Sequence, residues 1–339
     1  MARVTLKDVS LLAGVGTTTA SLVLRDSPTI PDETKARVRA AMDELGYVYN
    51  RQAAMFRRQK SMAIGLVVTE IGNPYFAGLA MSLEQKIFDA GYTLLMCYSR
   101  DDVGRQNSQI RRLYERGIDA LALLPAVDTD PTDLKRLVDS SRSPFVLVTR
   151  HLGLDQDYVG ANIEAAGLLL GRHLADIGVR TLTLLGGPAD ASATHERIRG
   201  LTAAAADGAM TMTPQNRITG ASTVEAGAAG TARLLDNGDL PDAIVAYSDV
   251  IATGVYAELH ARGLHPGRDI AVASFDDNPG AAHQVPPLTS VATFPDQCGE
   301  ICASLLLERI EQAEPGGTRH ELVAPRLRIR ASTVGWARR

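Results

Sequence analysis

Residues 4–24 read Val4-Thr5-Leu6-Lys7-Asp8-Val9-Ser10-Leu11-Leu12-Ala13-Gly14-Val15-Gly16-Thr17-Thr18-Thr19-Ala20-Ser21-Leu22-Val23-Leu24. Thr5 and Asp8 stand at the spacing of a capping box, in which a hydroxyl accepts the third helical amide and a carboxylate reaches back to the cap amide. Leu6, Val9 and Ala13 recur at helical spacing. Gly14 is expected to end this helix, because the tight turn needs a left-handed backbone that glycine adopts without penalty. Val15 plugs the turn, and a second short helix over about 17–24 turns Ala20, Val23 and Leu24 inward. A third helix is expected from Pro31, which suits a first helical position, with Asp32 and Glu33 at the positive end of the dipole. Val38, Ala41, Met42 and Leu45 form its apolar stripe, and Gly46 ends it. The pattern describes a helix-turn-helix or a three-helix domain with no nucleic-acid role, and spacing alone leaves both open.

Charge bears on that choice. The 339 residues carry a formal net charge of −4, but residues 1–60 hold ten Lys/Arg against six acids, while the remainder holds 25 against 33. A basic module on an acidic body suits a nucleic-acid binder that touches phosphate at one end. With 45% hydrophobic and 22% charged residues, the composition excludes a disordered chain and a disulfide-stapled miniprotein. Apolar runs such as 63–68 and 120–124 fall far short of the ~20 residues of a membrane span. Met1-Ala2-Arg3 leads into a polar segment without the apolar region of a signal peptide, so the expectation is a cytoplasmic protein with no membrane partner. The cysteines are Cys97, Cys298 and Cys302. Their spacing makes no disulfide framework, and Cys298 and Cys302 read as small core residues rather than as metal ligands with His283. No cofactor is implied.

From residue 63 onward, strand-like runs (63–68, 92–97, 120–124, 145–148, 158–159, 181–185, 243–246, 270–275) alternate with amphipathic stretches such as 76–90, 165–177, 225–236 and 250–262. This rhythm predicts parallel sheets with helices on both faces, and so many elements argue for two such units. Ligands of open α/β sheets bind outside the carboxyl ends of the strands. The residues at these ends are Asn73-Pro74-Tyr75-Phe76, Arg150, Asn162, Arg197, Ser248-Asp249 and Asp276-Asp277, and each could converge on a ligand in a cleft.

The residues Val4–Val9, Ala13-Gly14-Val15, Thr17-Thr18-Thr19, Ser21, Val23-Leu24 and 40–47 (Ala-Ala-Met-Asp-Glu-Leu-Gly-Tyr) resemble the headpiece of the LacI/GalR family of bacterial transcription regulators. Asn50-Arg51 and Ala53 resemble that family's hinge helix. The resemblance continues through Arg197-x-x-Gly200, Phe275-Asp276-Asp277, Pro286-Pro287-Leu288-Thr289, Gly299, Leu305-Leu306-Leu307 and the closing strand 325–330. It implies an all-α helix-turn-helix headpiece (1–49), a hinge (50–60) and an α/β periplasmic-binding-protein-like effector domain (61–339) of two Rossmann-like lobes. The N-lobe would comprise about 61–160 plus 294–322, and the C-lobe about 161–293 plus 323–339.

The resemblance implies a homodimer on a pseudo-palindromic DNA operator, controlled by a small-molecule effector such as a sugar or related metabolite. DNA would be contacted from Thr5, Thr17, Thr18, Thr19, Ser21 and Leu22, and from hinge positions Asn50, Arg51, Ala53, Phe56 and Arg57. The effector would be held by Tyr75, Phe76, Arg150, Asn162, Arg197, Ser222, Ser248 and Asp276, with Arg197 and Asp276 facing each other across the cleft. Leu22 stands where relatives often place a polar base-reading residue, and leucine cannot make a bidentate bond to guanine. Gly16 replaces a serine that would cap the recognition helix. Phe56 takes the place of a minor-groove leucine wedge, and Ser222 that of an aromatic stacking platform. Enzyme readings fare poorly: the sequence holds no Gly-x-Gly-x-x-Gly or Walker loop, no Gly-x-Ser-x-Gly elbow and no His-Glu-x-x-His pair. The alternative is a two-lobed small-molecule carrier of periplasmic-binding type without a DNA role.

Overall fold

A computed structural model describes residues 4–24, 26–47, 61–141, 143–153, 155–206, 210–212, 217–238, 240–312 and 316–336. The chain divides into two compact units, Met1–Ser61 and Met62–Arg339.

In the first unit, helices α1 (Leu6–Leu12), α2 (Thr17–Val23) and α3 (Asp32–Leu45) follow one another. The capping box is formed: the Thr5 hydroxyl accepts the Asp8 amide at 3.4 Å and the Asp8 carboxylate accepts the Thr5 amide at 2.8 Å. Hydrogen bonds from the Thr5 side chain and backbone hold the Asp8 carboxyl below its ordinary range. Gly14 and Gly46 adopt left-handed φ of 62° and 60°. Val9, Ala13, Ala20, Val23, Val38 and Ala41 form the core, with Leu6, Val15, Met42 and Leu45 packed against it. Leu24, expected inward, is half-buried, because α2 ends at Val23. Pro31 lies one position earlier than expected, at the cap of α3, where its carbonyl accepts the Lys35 amide.

The second unit contains two six-stranded sheets. The first is parallel and comprises β1 (Ala63–Val68), β2 (Thr93–Tyr98), β3 (Ala120–Leu123), β4 (Phe145–Val148), β5 (Tyr158–Ala161) and β11 (His320–Val323), in the order β11-β5-β4-β3-β1-β2. The second comprises β6 (Leu182–Leu185), β7 (Arg217–Ile218), β8 (Ala243–Ala246), β9 (Ala271–Asp276), β10 (Thr289–Ala292) and β12 (Arg326–Arg328), in the order β12-β10-β9-β8-β6-β7. Among the described residues, only its edge strand β12 runs antiparallel, against β10. The central strands β3, β6 and β8 are buried along their whole length, as expected where helices cover both faces. The chain passes between the sheets after β5, after β10 and between β11 and β12. Sequence periodicity misses β7, β10 and β11: the first spans two residues, the second is short and half polar (Thr-Ser-Val-Ala), and the third is a half-exposed edge strand with His320 and Glu321. Cys298 and Cys302 are fully buried in the core of the first lobe, and burial pushes both thiols up.

Helices α4 (Pro74–Asp89), α5 (Val103–Glu115) and α6 (Pro131–Asp139) belong to the first lobe; α7 (Ile163–Asp176) and α8 (Ser192–Ala206) pack as a pair in the second. Gly200 permits that pairing, because a Cβ there would collide with the Glu164 carbonyl oxygen and stand 2.7 Å from the Leu168 amide nitrogen. Arg197 lies one helical turn before Gly200, so this close approach also fixes where its guanidinium sits. In an exposed helix, Gly→Ala is stabilising; here overpacking dominates, and Gly200→Ala is expected to destabilise the second unit by about 1–3 kcal/mol in denaturant unfolding.

Candidate ligand cleft and nucleic-acid interface

The carboxyl ends of the strands converge on a cleft between the two sheets. On the first lobe, Thr69-Glu70 follow β1, Thr149-Arg150 follow β4, and Asn73 caps α4. On the second, Arg197 projects from α8, Tyr247 follows β8, and Asp276 ends β9. Backbone strain collects here: the non-glycine residues Arg100, Asp101, Thr149 and Asp276 have φ of 58°, 57°, 65° and 102°. Such conformations persist where surrounding contacts over-determine them.

Arg197 Nη2 lies 4.0 Å from Asp276 Oδ1, and both side chains are nearly inaccessible. The guanidinium also stacks 4.0 Å from the Tyr247 ring centroid and 4.7 Å from that of Phe275, and Nη1 donates to the Ala193 carbonyl at 3.1 Å. Among the described residues, its Nε has no hydrogen-bond partner and is buried. Both residues belong to the second lobe. They therefore do not face each other across the cleft, as expected from sequence, but side by side on one wall.

The bridge between lobes comes from Asn73. Its Nδ2 donates to Asp276 Oδ2 at 3.0 Å, and its Oδ1 accepts from Asn278 Nδ2 and from the Tyr75 amide, each at 3.0 Å. Burial pushes the Asp276 carboxyl up, against the opposing pull of Arg197. Asp249 lies behind it, pushed up to about 7 by burial and by the charge of Asp276. It accepts from Ser290 Oγ at 2.8 Å, from the Asn278 amide at 2.6 Å and from Ser274 Oγ, and so braces the loop that carries Asn278.

Two joined chambers result. The inner one, about 40 Å³, is lined by Asn73, Tyr75, Phe76, Arg150, Arg197, Ser222 and Asp276 among others. The outer one is about 590 Å³ and shares Glu70, Arg150 and Ser222 with it. Tyr75 packs edge-on to Phe76 at 5.3 Å, and its hydroxyl lies 3.2 Å from Thr149 Oγ1. Arg150 Nη1 donates to Asp101 Oδ1 at 2.7 Å and to the Pro125 carbonyl at 3.2 Å. Two expected residues stand apart from both chambers. Asn162 caps α7, its side chain accepting the Ala165 amide at 3.0 Å. The Ser248 hydroxyl is buried behind the wall and has no hydrogen-bond partner among the described residues.

Sequence reasoning overlooked Glu70, Asp101, Thr149, Tyr247 and the bridging role of Asn73. An Asn immediately before Pro74 was a legible cap signal. Its second use, on the opposite lobe, had no local signature.

Burial pushes the Glu70 carboxyl from 4.5 up to about 7, only partly opposed by Arg150. The folded protein therefore keeps Glu70 protonated over a range in which the unfolded chain ionises, and stability falls as pH rises from about 4.5 to 7. Glu70→Gln removes that loss. In thermal melts from pH 4 to 8, the variant should match the parent at pH 4 and exceed it above pH 7, by about 1 kcal/mol after allowance for partial solvent contact.

On the first unit, Thr17 and Thr18 are exposed in the opening turn of α2, and Thr19, Ser21 and Leu22 are half-buried beside them. Gly16 caps this helix through its backbone alone. Thr5 is engaged in the capping box, its hydroxyl 2.7 Å from Asp8 Oδ2. Asn50, Arg51, Ala53, Phe56 and Arg57 lie outside the described residues. Among the described residues, no group of three or more His, Cys, Asp or Glu could hold a metal ion, and no helix is long and apolar enough to cross a membrane.

Residues 5–50 match the family model of bacterial regulatory proteins, lacI family, and residues 172–333 match that of a periplasmic binding protein-like domain. The ribose operon repressor of Escherichia coli (strain K12) is 29% identical over 309 residues, covering 91% of this chain and 93% of the relative. Among solved structures, a transcriptional regulator CelR–cellobiose complex is 29% identical with a TM-score of 0.74, over 97% of this chain and 100% of the other. A lac repressor dimer bound to operator and the anti-inducer ONPF shares the fold with a TM-score of 0.87 at 22% identity, over 98% and 100% of the two chains.

Proposed function

Because this chain belongs to the lacI family of bacterial regulatory proteins, we propose that it represses transcription from a pseudo-palindromic operator, and that a hydroxylated metabolite held between its lobes sets its affinity for DNA. The observation that carries the effector half is the Arg197–Asp276 pair at the cleft wall. A planar guanidinium beside a carboxylate offers donors and acceptors in one place, which suits neighbouring hydroxyls of a sugar or polyol. The exposed first turn of α2 and the basic charge of residues 1–60 support the DNA half.

In this reading, residues 1–49 form the headpiece, 50–60 the hinge and 61–339 the effector and dimerisation domain. Two copies pair through the effector domains, which sets two headpieces on adjacent half-sites. Phe56 acts as the minor-groove wedge, with Arg57 on phosphate. Effector binding changes the angle between lobes and hence the spacing of the hinges. Effector and operator affinities then change reciprocally. In this reading the protein acts in the cytoplasm, where its DNA is, and works by binding rather than by catalysis.

Operator titrations at several salt concentrations test the DNA reading. A dimer that neutralises six to ten phosphates is expected to lose about 10³–10⁵ in affinity between 50 and 200 mM salt. Affinity that is flat across this range, or absent at low salt with every metabolite tried, sinks it.

A further inference from the structure

The cations of the cleft are not equivalent. Arg150 is neutralised by Asp101 at 2.7 Å, and Arg197 faces Asp276 at 4.0 Å. Arg100, on the rim of the outer chamber, forms no ion pair among the described residues. Its Nη2 donates to the Tyr98 hydroxyl at 3.3 Å, and its guanidinium lies 5.6 Å from the Tyr98 ring centroid. Arg105 stands at the same distance from that ring, so two guanidinium groups share one phenol, and the Tyr98 hydroxyl is pulled below its ordinary range. Arg100 thus brings an unmatched cation to the outer chamber, whose other charged lining residues are the Arg150–Asp101 pair and Glu70, a carboxyl that burial pushes up to about 7.

The turn that carries Arg100 is built rather than slack. Both Arg100 and Asp101 are left-handed without being glycine. Asp101 pins the turn by accepting from Arg150 and from the Val127 amide at 3.1 Å. Strain held this way is a mark of ligand clamps. The size of the cleft adds a second constraint. The inner chamber is about 40 Å³ and closed by Asn73 on Asp276, whereas about 590 Å³ stands open outside it. A single sugar ring seated at Arg197 would leave most of that space unused, and space of this size suits a larger molecule.

We infer that the effector has two parts: a polyol unit that takes Asn73's place on Asp276, and a second sugar-sized unit in the outer chamber bearing a phosphate or carboxylate against Arg100. This rests on the cleft being the effector site. Arg100 is then the residue that sets preference for charged over neutral glycosides.

Calorimetric titration of the full chain tests it with three disaccharides of different stereochemistry (cellobiose, maltose and lactose). Each is offered neutral, as its 6-phosphate and as its aldonic acid, with ribose 5-phosphate as a one-unit control. At least one charged disaccharide is expected to bind about 10-fold or more tighter than its neutral parent. The phosphate and aldonate arms show which anion is favoured. Arg100→Gln should bring the charged form to the affinity of the neutral one and leave the neutral one unchanged, while Arg197→Ala weakens both. Equal affinity for charged and neutral forms overturns the inference, as does an equal loss of both in Arg100→Gln. So does ribose 5-phosphate binding as tightly as the charged disaccharides, or no binding anywhere in the panel. If a disaccharide binds and Arg197→Ala leaves its affinity intact, the assignment of the cleft itself fails, which is a separate result.

Discussion

Arg197→Ala abolishes effector control while operator binding by the ligand-free protein stays within about twofold of the parent; that is the expected result. The guanidinium is buried between Tyr247 and Phe275 and faces Asp276. Truncation removes both the donor fork and the charge that holds down the Asp276 carboxyl. Losing one partner of a buried, hydrogen-bonding charged site costs about 2–5 kcal/mol in ligand affinity, or roughly 30- to 5,000-fold. Arg197→Lys should recover little of it, since lysine offers neither the planar fork nor the stacking face. Operator titrations with and without effector read this directly. Loss of unliganded DNA binding as well would make Arg197 a structural residue of the second lobe and remove the cleft from the mechanism.

The second large effect concerns the first unit. A chain lacking residues 1–61 is expected to lose operator binding entirely and to bind effector within about twofold of the full protein. The boundary follows from the cores: Val9, Ala20, Val23 and Val38 form a cluster of their own, and four other clusters account for the second unit. Each unit therefore buries its own apolar surface. Effector binding that vanishes with the headpiece would contradict this division of labour. A milder version keeps the fold: alanine at both Thr17 and Thr18 should lower specific affinity about 10-fold or more and leave non-specific, salt-driven binding nearly unchanged.

Much of this molecule is legible without coordinates, because the deciding signals are short-range. Thr5 and Asp8 are three residues apart, Gly14 and Gly46 each set one turn, and the apolar spacing of α1 to α3 marks one face of each helix. The alternation of strands and helices from residue 63 likewise points to parallel sheets before any contact is known. Even the Arg197-x-x-Gly200 spacing has a local logic, since one helical turn puts a large polar residue and a point of close helix contact on neighbouring parts of one face.

What the tertiary structure alone decided is how each polar side chain is used. Arg150 answers to Asp101, 49 positions away in sequence, and Asn73 to Asp276, 203 positions away. Asn162, equally polar and equally placed at a strand end, is taken by its own helix cap, and Ser248 is left behind the wall. Arg197 and Asp276 share one lobe because α8 and β9 pack in the same layered unit. Caps, turns and periodicity depend on neighbours within a few bonds of one another. The partner of a buried charge depends on which distant strands lie side by side, and that is set by the summed packing of both cores.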